Sequence, residues 1–583
     1  MSTARATLIV SFCLLAGCSS DESRDTRTDP TPPCEDCPSC DDGIQNQDET
    51  GVDCGGICAA CPILTVTRLE LIDADADQAV TGFDPLEEGA IVDLALLPTA
   101  SLSIRATTDP EVVGSVVFGL DDDDAHQVDD QPPYALFGDT AGDYSGGSLP
   151  AGQHTVTATP FAGPGGTGAA GEPLTITFEV VPQADYYVAP DGDDANPGTI
   201  TEPFFTLNQA WSVVEAGQLI FVRGGTFEYD QRQRLFDKHG APDQLIKLWA
   251  YPGETPVISP SPSFPDTVGV HVRGDYLHLK GLEVAGFEQT ESSNWYSGLS
   301  AYDVNHCIFE QLDVHHNGFG FAITGSSDGN LVLNSDFHHN SDPLTAIGNN
   351  QPWGGSDGLT IRVQDLDATN TIRGCRMWWN SDDGIDLWDN EGMIVIEDSW
   401  AFWNGFQPGN FEDAGDGNGY KLGRTTANAG QLKRTIRNTL AFQNKMWGYN
   451  INGALCNVEL YHSVAHQNCY QGLLTWCGGV TLHMDGVPYI VKNNVAHDNV
   501  EAAFNITDLT EVDHNSWDSS VTVTDDDFLS VTPTGVDGPR QPDGSLPELD
   551  YLRLAPDSDL VDAGIDVGMP FNGAAPDLGA YER

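Results

Sequence analysis

The chain is poor in positively charged residues. It has 25 lysines and arginines against 87 aspartates and glutamates, a formal net charge of −62 over 583 residues. Proteins that bind nucleic acid need a basic surface, so we exclude nucleic acid as a partner. A polyanionic ligand would also be repelled unless a divalent cation bridged the two, and carboxylate oxygens are ligands that suit calcium. The alternative is that the acidity only keeps the protein soluble.

Long apolar segments are also lacking, apart from a short one near the start. Arg5 precedes an apolar run over residues 6–15, which is too short to cross a bilayer and is typical of a signal peptide. The run ends in Leu-Ala-Gly-Cys at residues 15–18, which resembles the lipobox of bacterial lipoproteins. That resemblance implies that residues 1–18 direct export and that Cys18 is lipidated. The protein would then be secreted to the outer membrane or surface of a bacterium, with the lipid as its only membrane contact.

Cysteine is scarce over most of the chain but dense in one short stretch. Residues 19–33 are polar and rich in proline, aspartate and threonine, which predicts a linker. Residues 34–62 then contain six of the 13 cysteines. In an exported chain an even set this dense predicts a disulfide-rich module, although CxxC spacing would also suit zinc. The six are Cys34, Cys37, Cys40, Cys54, Cys58 and Cys61.

Residues 63–182 show the short alternating runs of an all-β domain. Apolar and polar residues alternate near residues 64–72, 101–105 and 154–159, and turns rich in glycine, proline and aspartate separate the runs. This pattern favours an antiparallel β-sandwich. The segment resembles the Ig-like modules that are appended to secreted bacterial enzymes.

Residues 186–583 form the predicted β-helix domain, and a repeat begins within it after residue 216. Each unit reads as an apolar strand, two bulky residues, an asparagine, a turn, a glycine and a second apolar strand, and successive asparagines are 23 to 40 residues apart. Units that cannot bury their faces alone stack into a solenoid of parallel strands. We interpret the short gaps as one coil and the long gaps as one coil with an inserted loop. The asparagines are Asn317, Asn340, Asn380, Asn404, Asn444, Asn468 and Asn499.

These asparagines are expected to be structural. Equivalent positions of stacked coils lie about 4.8 Å apart, so each amide can hydrogen-bond to its copies above and below. The histidine pairs at residues 315–316 and 338–339 adjoin this ladder, and we expect them to pack in turns rather than bind metal. Residues 205–216 have helical spacing and could cap one end of the solenoid.

Three successive coils place polar residues at the same offsets from a glycine that begins a strand. One column precedes the glycine, and a second lies two positions after it. Side chains alternate along a strand, so the second column faces outward while Leu359, Ile385 and Tyr420 face the core. The pattern favours a metal-plus-base site, and the alternative is an exposed acidic patch with a salt-bridged lysine. The first column is Asp357, Asp383 and Asn418, and the second is Thr360, Asp386 and Lys421.

From Tyr186 to its C terminus the chain resembles polysaccharide lyase family nine, the pectate and exopolygalacturonate lyases. The resemblance covers about two-thirds of the chain and implies a right-handed parallel β-helix, which makes the whole protein all-β. Of the matching stretches the last two are the most specific. They are Tyr186-Tyr-Val, Ala250-Tyr-Pro-Gly-Glu, Ser356-Asp-Gly, Asn380-Ser-Asp-Asp-Gly-Ile-Asp-Leu and Gly417-Asn-Gly-Tyr-Lys-Leu-Gly.

The resemblance also implies a chemistry for the two columns. Calcium would be held by four aspartates and would neutralise the carboxylate of a galacturonate unit, and Lys421 would abstract the neighbouring C-5 proton. The function implied is that of a calcium-dependent pectate lyase, which cleaves polygalacturonate by β-elimination. The four implied calcium ligands are Asp357, Asp382, Asp383 and Asp386.

Three arginines are candidates for binding other uronate carboxylates, although each could form an ordinary surface salt bridge. They are Arg362, Arg424 and Arg376. The family usually has lysine at the position of Arg362, and arginine keeps the charge but changes its reach and geometry.

The expected partner is an acidic polysaccharide, bound by a monomer. Alternatives remain open. The chain could be a lyase or epimerase for alginate or a glycosaminoglycan, or a glycoside hydrolase, in which a carboxylate pair would leave Lys421 without a role. It could also be a calcium-dependent glycan-binding surface protein without activity.

Overall fold

The computed structural model describes residues 63–347, 351–424, 433–484, 486–504 and 511–583, with residues 56, 58 and 506. The signal segment with Cys18 and the linker lie outside the described residues. Cys58 is disulfide-bonded, and the other five cysteines of the predicted module also lie outside the described part. The chain forms two compact units, Met1–Glu88 with Ser101–Ser148 and His154–Thr177, and Gly89–Ala100 with Leu149–Gln153 and Phe178–Arg583.

Residues 63–182 fold into short strands, as the alternating pattern predicts. In strand Leu102–Asp109 the apolar residues Leu102, Ile104 and Ala106 are buried, although Ser103 between them is buried as well. The strand pairs antiparallel with Thr65–Asp73. The all-β fold is confirmed here, whereas the Ig-like assignment stays a prediction. The strands are Thr65–Asp73, Gln78–Ala79, Ala90–Asp93, Leu102–Asp109, Ser115–Leu120, Asp123–Asp129, Tyr134–Ala135, Asp139–Thr140, Asp143–Tyr144, Gly152–Gly163, Thr167–Ala170 and Leu174–Val181, with a 3₁₀ turn at Pro164–Gly166.

Residues 186–513 form the predicted solenoid of parallel strands, which build three sheets named A, B and C here. Sheet A contains Gln233–Leu235, Val268–Asp275, Ser297–Asn305, Phe321–Gly325, Leu359–Val363, Ile385–Trp388, Tyr420–Arg424, Tyr449–Asn450, Gly478–Thr481 and Glu501–Phe504. Sheet B contains Tyr186–Val188, Leu219–Val222, Ile246–Ala250, Leu277–Lys280, Ile308–Glu310, Leu331–Leu333, Thr369–Arg373, Met393–Glu397, Lys433–Arg437, Asn457–Tyr461, Tyr489–Lys492 and Glu511–Asp513. Sheet C contains Gly225–Tyr229, Pro256–Pro260, Glu283–Ala285, Asp313–His315, Asp336–His338, Arg376–Trp378, Trp400–Phe402, Leu440–Phe442, Val464–His466 and Val495–His497.

The asparagine ladder is present and continuous. The amide of Asn404 donates to Asn444 Oδ1 at 3.0 Å and accepts from Asn380 Nδ2 at 3.0 Å. The same contact recurs from Asn317 to Asn499, so every gap between successive asparagines is a single coil, whether short or long. Each amide also donates to a main-chain carbonyl of an adjoining coil, as Asn404 does to Met377 O. Polar side chains buried in this way stabilise the turns because their hydrogen bonds are satisfied.

The histidine pairs lie at and just after the ends of two strands of sheet C, where they pack on one another. His315 stacks on His338 with ring centroids 4.8 Å apart and an angle of 7° between the ring planes, and His316 stacks on His339. Asp313 lies close enough to His315 and His338 for the three to hold a metal ion. The expectation that these histidines do not bind metal stays a prediction.

A helix and a C-terminal segment pack against the solenoid. Helix α1, Leu207–Val213, lies within the predicted helical segment. Thr206 caps its N terminus, and the Thr206 hydroxyl accepts a hydrogen bond from Gln209 N. Residues 517–583 run over the outside of sheet C, where Tyr551 packs on Phe442 with ring centroids 4.9 Å apart. Short 3₁₀ turns occur at Tyr470–Gly472 and Asp525–Asp527. Within the described residues, no helix is long and apolar enough to cross a membrane.

Candidate active site

Sheet A aligns the outward-facing column that the glycines predict. Thr360 pairs with Asp386, Asp386 with Lys421, and Lys421 with Asn450. The alternate residues face the core, and Leu359, Ile385 and Tyr420 are fully buried there. The column follows from the parallel pairing because equivalent positions of neighbouring strands share one face.

The aspartates form two overlapping clusters. Carboxylate oxygens of Asp357, Asp383 and Asp386 lie within 4.8 Å of one another, and those of Asp382, Asp383 and Asp416 do the same. Asp383 belongs to both clusters. The four aspartates that the sequence indicates are thus brought together, and Asp416 is a fifth that the column pattern did not include.

Hydrogen bonds hold these carboxylates in place. Asp383 Oδ1 accepts from both the main-chain and the side-chain nitrogen of Asn418, each at 2.7 Å. Asp357 Oδ2 accepts from Thr360 Oγ1 at 3.0 Å, and Asp386 Oδ1 accepts from Trp388 N at 2.7 Å. Asn418 therefore positions Asp383, the residue that is shared by the two clusters.

Lys421 reaches into the middle of this arrangement. Its Nζ lies 2.7 Å from Asp383 Oδ2, 3.6 Å from Asp386 Oδ2 and 3.5 Å from Asp416 Oδ2. Burial lowers the pKa of Lys421, but the surrounding aspartates outweigh burial and raise that pKa well above its usual value. The lysine is therefore held as an ammonium ion while the aspartates are ionised.

The buried aspartates are destabilised as anions, so their pKa values are raised. Burial and mutual repulsion raise the pKa of Asp357 and of Asp382 well above the usual range. Burial, with repulsion from Asp416 and Asp386, raises the pKa of Asp383 to about 6, although Lys421 lowers it. One lysine does not offset this many carboxylates. An all-oxygen set of negative ligands fits a hard divalent cation such as calcium, because the cation would remove the repulsion.

Two inserted loops enclose the site, so the cluster is not the open patch that the column alone indicates. Lys421, Asp386 and Asp382 are each at most 5% exposed. In the first loop, of which residues 341–347 and 351–356 are described, the buried Asp342 accepts a hydrogen bond from Ser381 Oγ at 3.2 Å. Burial raises the pKa of Asp342 to about 6.

The second loop, residues 405–417, carries Asp416. Asp416 N donates a short hydrogen bond to Asp382 Oδ1, while the Asp416 carboxylate is 65% exposed. The buried Lys445 anchors the loop, because its Nζ donates to Ala414 O at 3.1 Å and to Gly415 O. Lys445 directly follows a ladder asparagine, and that position was the one available signal for it in the sequence.

The three arginines differ in position. Arg362 lies at the cluster with its Nη2 3.7 Å from Asp386 Oδ2 and its side chain 40% exposed, so it can still reach a ligand. The Arg424 side chain lies outside the described residues. Arg376 is not brought to the site and is dropped as a substrate-binding candidate. It lies in sheet C, is 2% exposed, and binds Asp336 and the main chain at Val536.

Comparisons with known proteins bear on this site. A family model described as the Pel9A-like right-handed β-helix region matches residues 186–494. Pectate lyase L of Dickeya dadantii (strain 3937) is 32% identical over 425 residues, which are 70% of this chain and 92% of that protein. Pectate lyase PEL9 of Emericella nidulans is 30% identical over 67% of this chain and 96% of its own length.

Solved structures agree with the sequence relatives. The crystal structure of pectate lyase Pel9A is 30% identical, with a TM-score of 0.56 over 68% of this chain and 96% of that chain. A rhamnogalacturonan lyase is 26% identical, with the same TM-score over 64% of this chain. The right-handed β-helix is therefore confirmed. The chain belongs to the Pel9A-like β-helix family, polysaccharide lyase family nine, and is a polysaccharide lyase.

Proposed function

We propose that the protein is a calcium-dependent pectate lyase that cleaves polygalacturonate by β-elimination, with Lys421 as the base. The supporting observation is that Lys421 Nζ lies 2.7 Å from Asp383 within a buried group of aspartates on one face of the solenoid. Relatives that carry the name pectate lyase match across this site. A glycoside hydrolase would instead use a pair of these carboxylates and would leave Lys421 without a role.

The calcium ligands in this proposal are Asp357, Asp382, Asp383 and Asp386. Calcium takes six to eight oxygen ligands, so water or substrate oxygens would complete the set. Calcium bound there would neutralise a uronate carboxylate and make the neighbouring C-5 proton easier to remove. Asn418 and Thr360 keep the carboxylates oriented for this through the hydrogen bonds described above.

Lys421 would take the C-5 proton on Nζ. The electrons of the C–H bond form the double bond between C-4 and C-5, and the C-4 to oxygen bond breaks. The leaving oxygen takes up a proton and the product has an unsaturated end. A lysine accepts a proton only when neutral, so the negative charge that raises its pKa must be offset before it can act. Arg362 would bind the carboxylate of a neighbouring sugar unit.

We also propose that the enzyme is an exported, monomeric lipoprotein anchored through Cys18. The signal-type run and lipobox support this. Cys469 and Cys477 form a disulfide in the described part of the chain, which suits an oxidising compartment outside the cytosol. Delivery to the surface would bring the enzyme to a polysaccharide too large to enter the cell.

The substrate test compares polygalacturonate, rhamnogalacturonan, alginate and chondroitin, each with calcium and with a chelator. We expect unsaturated, ultraviolet-absorbing ends from polygalacturonate with calcium only. Asp383→Asn should raise the calcium concentration needed and weaken calcium binding in calorimetry. Saturated products would indicate a hydrolase instead, and binding without turnover would indicate a glycan-binding protein.

A further inference from the structure

Trp476 is a large aromatic side chain that is only partly buried. It is 49% exposed and lies just before strand Gly478–Thr481 of sheet A. That strand pairs with Tyr449–Asn450, which pairs with the strand of Lys421. Trp476 is therefore two coils beyond the lysine. Since coils are spaced by about 4.8 Å, the two levels are about 10 Å apart, a distance on the scale of a short oligosaccharide.

A buried tryptophan supports Trp476. Gly384 N donates to Asn418 O and Gly419 N donates to Trp447 O, so Trp447 continues the column that holds Asp383 and Asn418. The Trp447 side chain is fully buried, and its ring meets that of Trp476 edge-on with centroids 5.8 Å apart. The column of acidic and amide side chains therefore continues into the buried Trp447, which contacts the partly exposed Trp476.

The loop that carries Trp476 is tied down. The disulfide between Cys469 and Cys477 closes it, and Cys469 N donates to Met446 O at 3.1 Å. Leu473 and Val500, which are 46% and 58% exposed, lie in this loop and just before the strand that pairs with Gly478–Thr481. Exposed apolar side chains near one another in this way are typical of interaction sites.

We propose that Trp476 is a stacking platform for a sugar ring of the polysaccharide, at a subsite two coils beyond Lys421. The proposal rests on the proposed function and extends it. The flat apolar face of an indole packs against the C–H face of a sugar ring without needing charge. Such a contact suits an acidic protein with an acidic polymer, because it adds affinity where further carboxylates would repel. The polymer would then run along the solenoid axis, parallel to the columns of sheet A.

The test measures binding without turnover. In full-length Lys421→Met with calcium, we would titrate monomeric galacturonate and a longer galacturonate oligomer by calorimetry, with matched fragments of rhamnogalacturonan and alginate. Adding Trp476→Ala should weaken binding of the longer oligomer by about three- to tenfold and leave binding of the monomer, which is too short to reach both levels, unchanged. Trp476→Phe should restore most of the loss. Phe571→Ala is the control, because Phe571 is also an exposed aromatic, at 39%.

Each result decides the question. Unchanged affinity for the longer oligomer, or an equal loss for the monomer and the longer oligomer, would overturn the platform. If the parent variant binds rhamnogalacturonan or alginate fragments in place of galacturonate, the proposed substrate fails, and the same comparison on that polymer judges the platform. If it binds none of them, both proposals fail. Far-ultraviolet circular dichroism and the Tm of each variant establish that the fold is kept.

Discussion

Lys421 owes its position to charge as well as to packing. Its backbone is fixed by parallel pairing with Asp386, and its amine is surrounded by aspartates. The sequence predicted this meeting correctly because glycine offsets report which residues share a face of a parallel sheet. Asp416 could not be predicted in the same way, since it comes from a loop whose path is set by contacts with Ser381 and Lys445 rather than by a repeat.

Lys421→Met should abolish formation of unsaturated products, with a loss of at least about 100-fold, because a positioned base contributes that much or more. The methionine keeps most of the side-chain volume, so the fold should be retained. Lys492→Met is a matched control, since Lys492 lies in sheet B and pairs with Glu511 near the surface. Initial rates on polygalacturonate give the comparison. Near-wild-type activity of Lys421→Met would remove the lysine from its assigned role.

The raised pKa of Asp383 predicts how stability depends on pH without calcium. The pKa is about 6 in the fold against 3.8 for an ordinary aspartate, so folding favours the protonated form. That contribution is complete below about pH 4 and is lost as the pH rises through about 6. In chelator, the free energy of unfolding of the wild type relative to Asp383→Asn should fall over this range.

Urea unfolding of both proteins at pH 4, 5, 6 and 7 tests this. Comparing the pair cancels the histidines that titrate in the same window. Calcium should reverse the trend, because it favours the ionised carboxylate. A difference between the two proteins that stays constant, or grows with pH in chelator, would contradict the assignment.

At the scale of elements, the asparagine ladder sets the coil. The sequence predicted all seven asparagines because the pattern around them repeats. It did not predict the place of Arg376, since a three-residue strand gives no signal of which sheet it joins or of what covers it. Arg376 is buried by the C-terminal segment, to which it donates at Val536 O and Gly538 O.

Asn404→Ala should lower the free energy of unfolding by about 1–3 kcal/mol, because it leaves buried partners without hydrogen bonds. Asn404 joins Asn380 and Asn444 and also donates to Met377 O. Chemical denaturation measures the change. Asn572→Ala, at an exposed position, should be close to neutral. Equal stabilities for the two variants would mean that the ladder contributes little.

At the scale of the whole molecule, the C-terminal segment acts as the cover of sheet C. Trp378, Phe402 and Phe442 face outward and are buried against residues from this segment, such as Tyr551 and Leu554. The repeat predicted the stack of strands but not this cover, since residues 517–583 carry little of the repeat. An exposed aromatic stack of this size would favour aggregation.

A chain that ends at residue 520 should therefore lose solubility or show a markedly lower Tm. Removing the segment exposes the aromatic stack and leaves Arg376 without its main-chain acceptors at Val536 and Gly538. Thermal unfolding followed by circular dichroism, with light scattering, gives the comparison with the full chain. A truncated protein that keeps the same Tm would show that the cover is dispensable.

The two loops that enclose the active site are inserted at equivalent positions of their coils. Their described parts, residues 341–347 with 351–356 and residues 405–417, lie between a ladder asparagine and a strand of sheet A. The asparagine fixes the position of the chain before each loop, and parallel strand pairing fixes it again after the loop. The two loops can therefore vary in sequence while sheet A, which carries the lysine and aspartates between them, stays intact. Such variation, natural or engineered, is a route to enzymes that act on other polymers with the same solenoid.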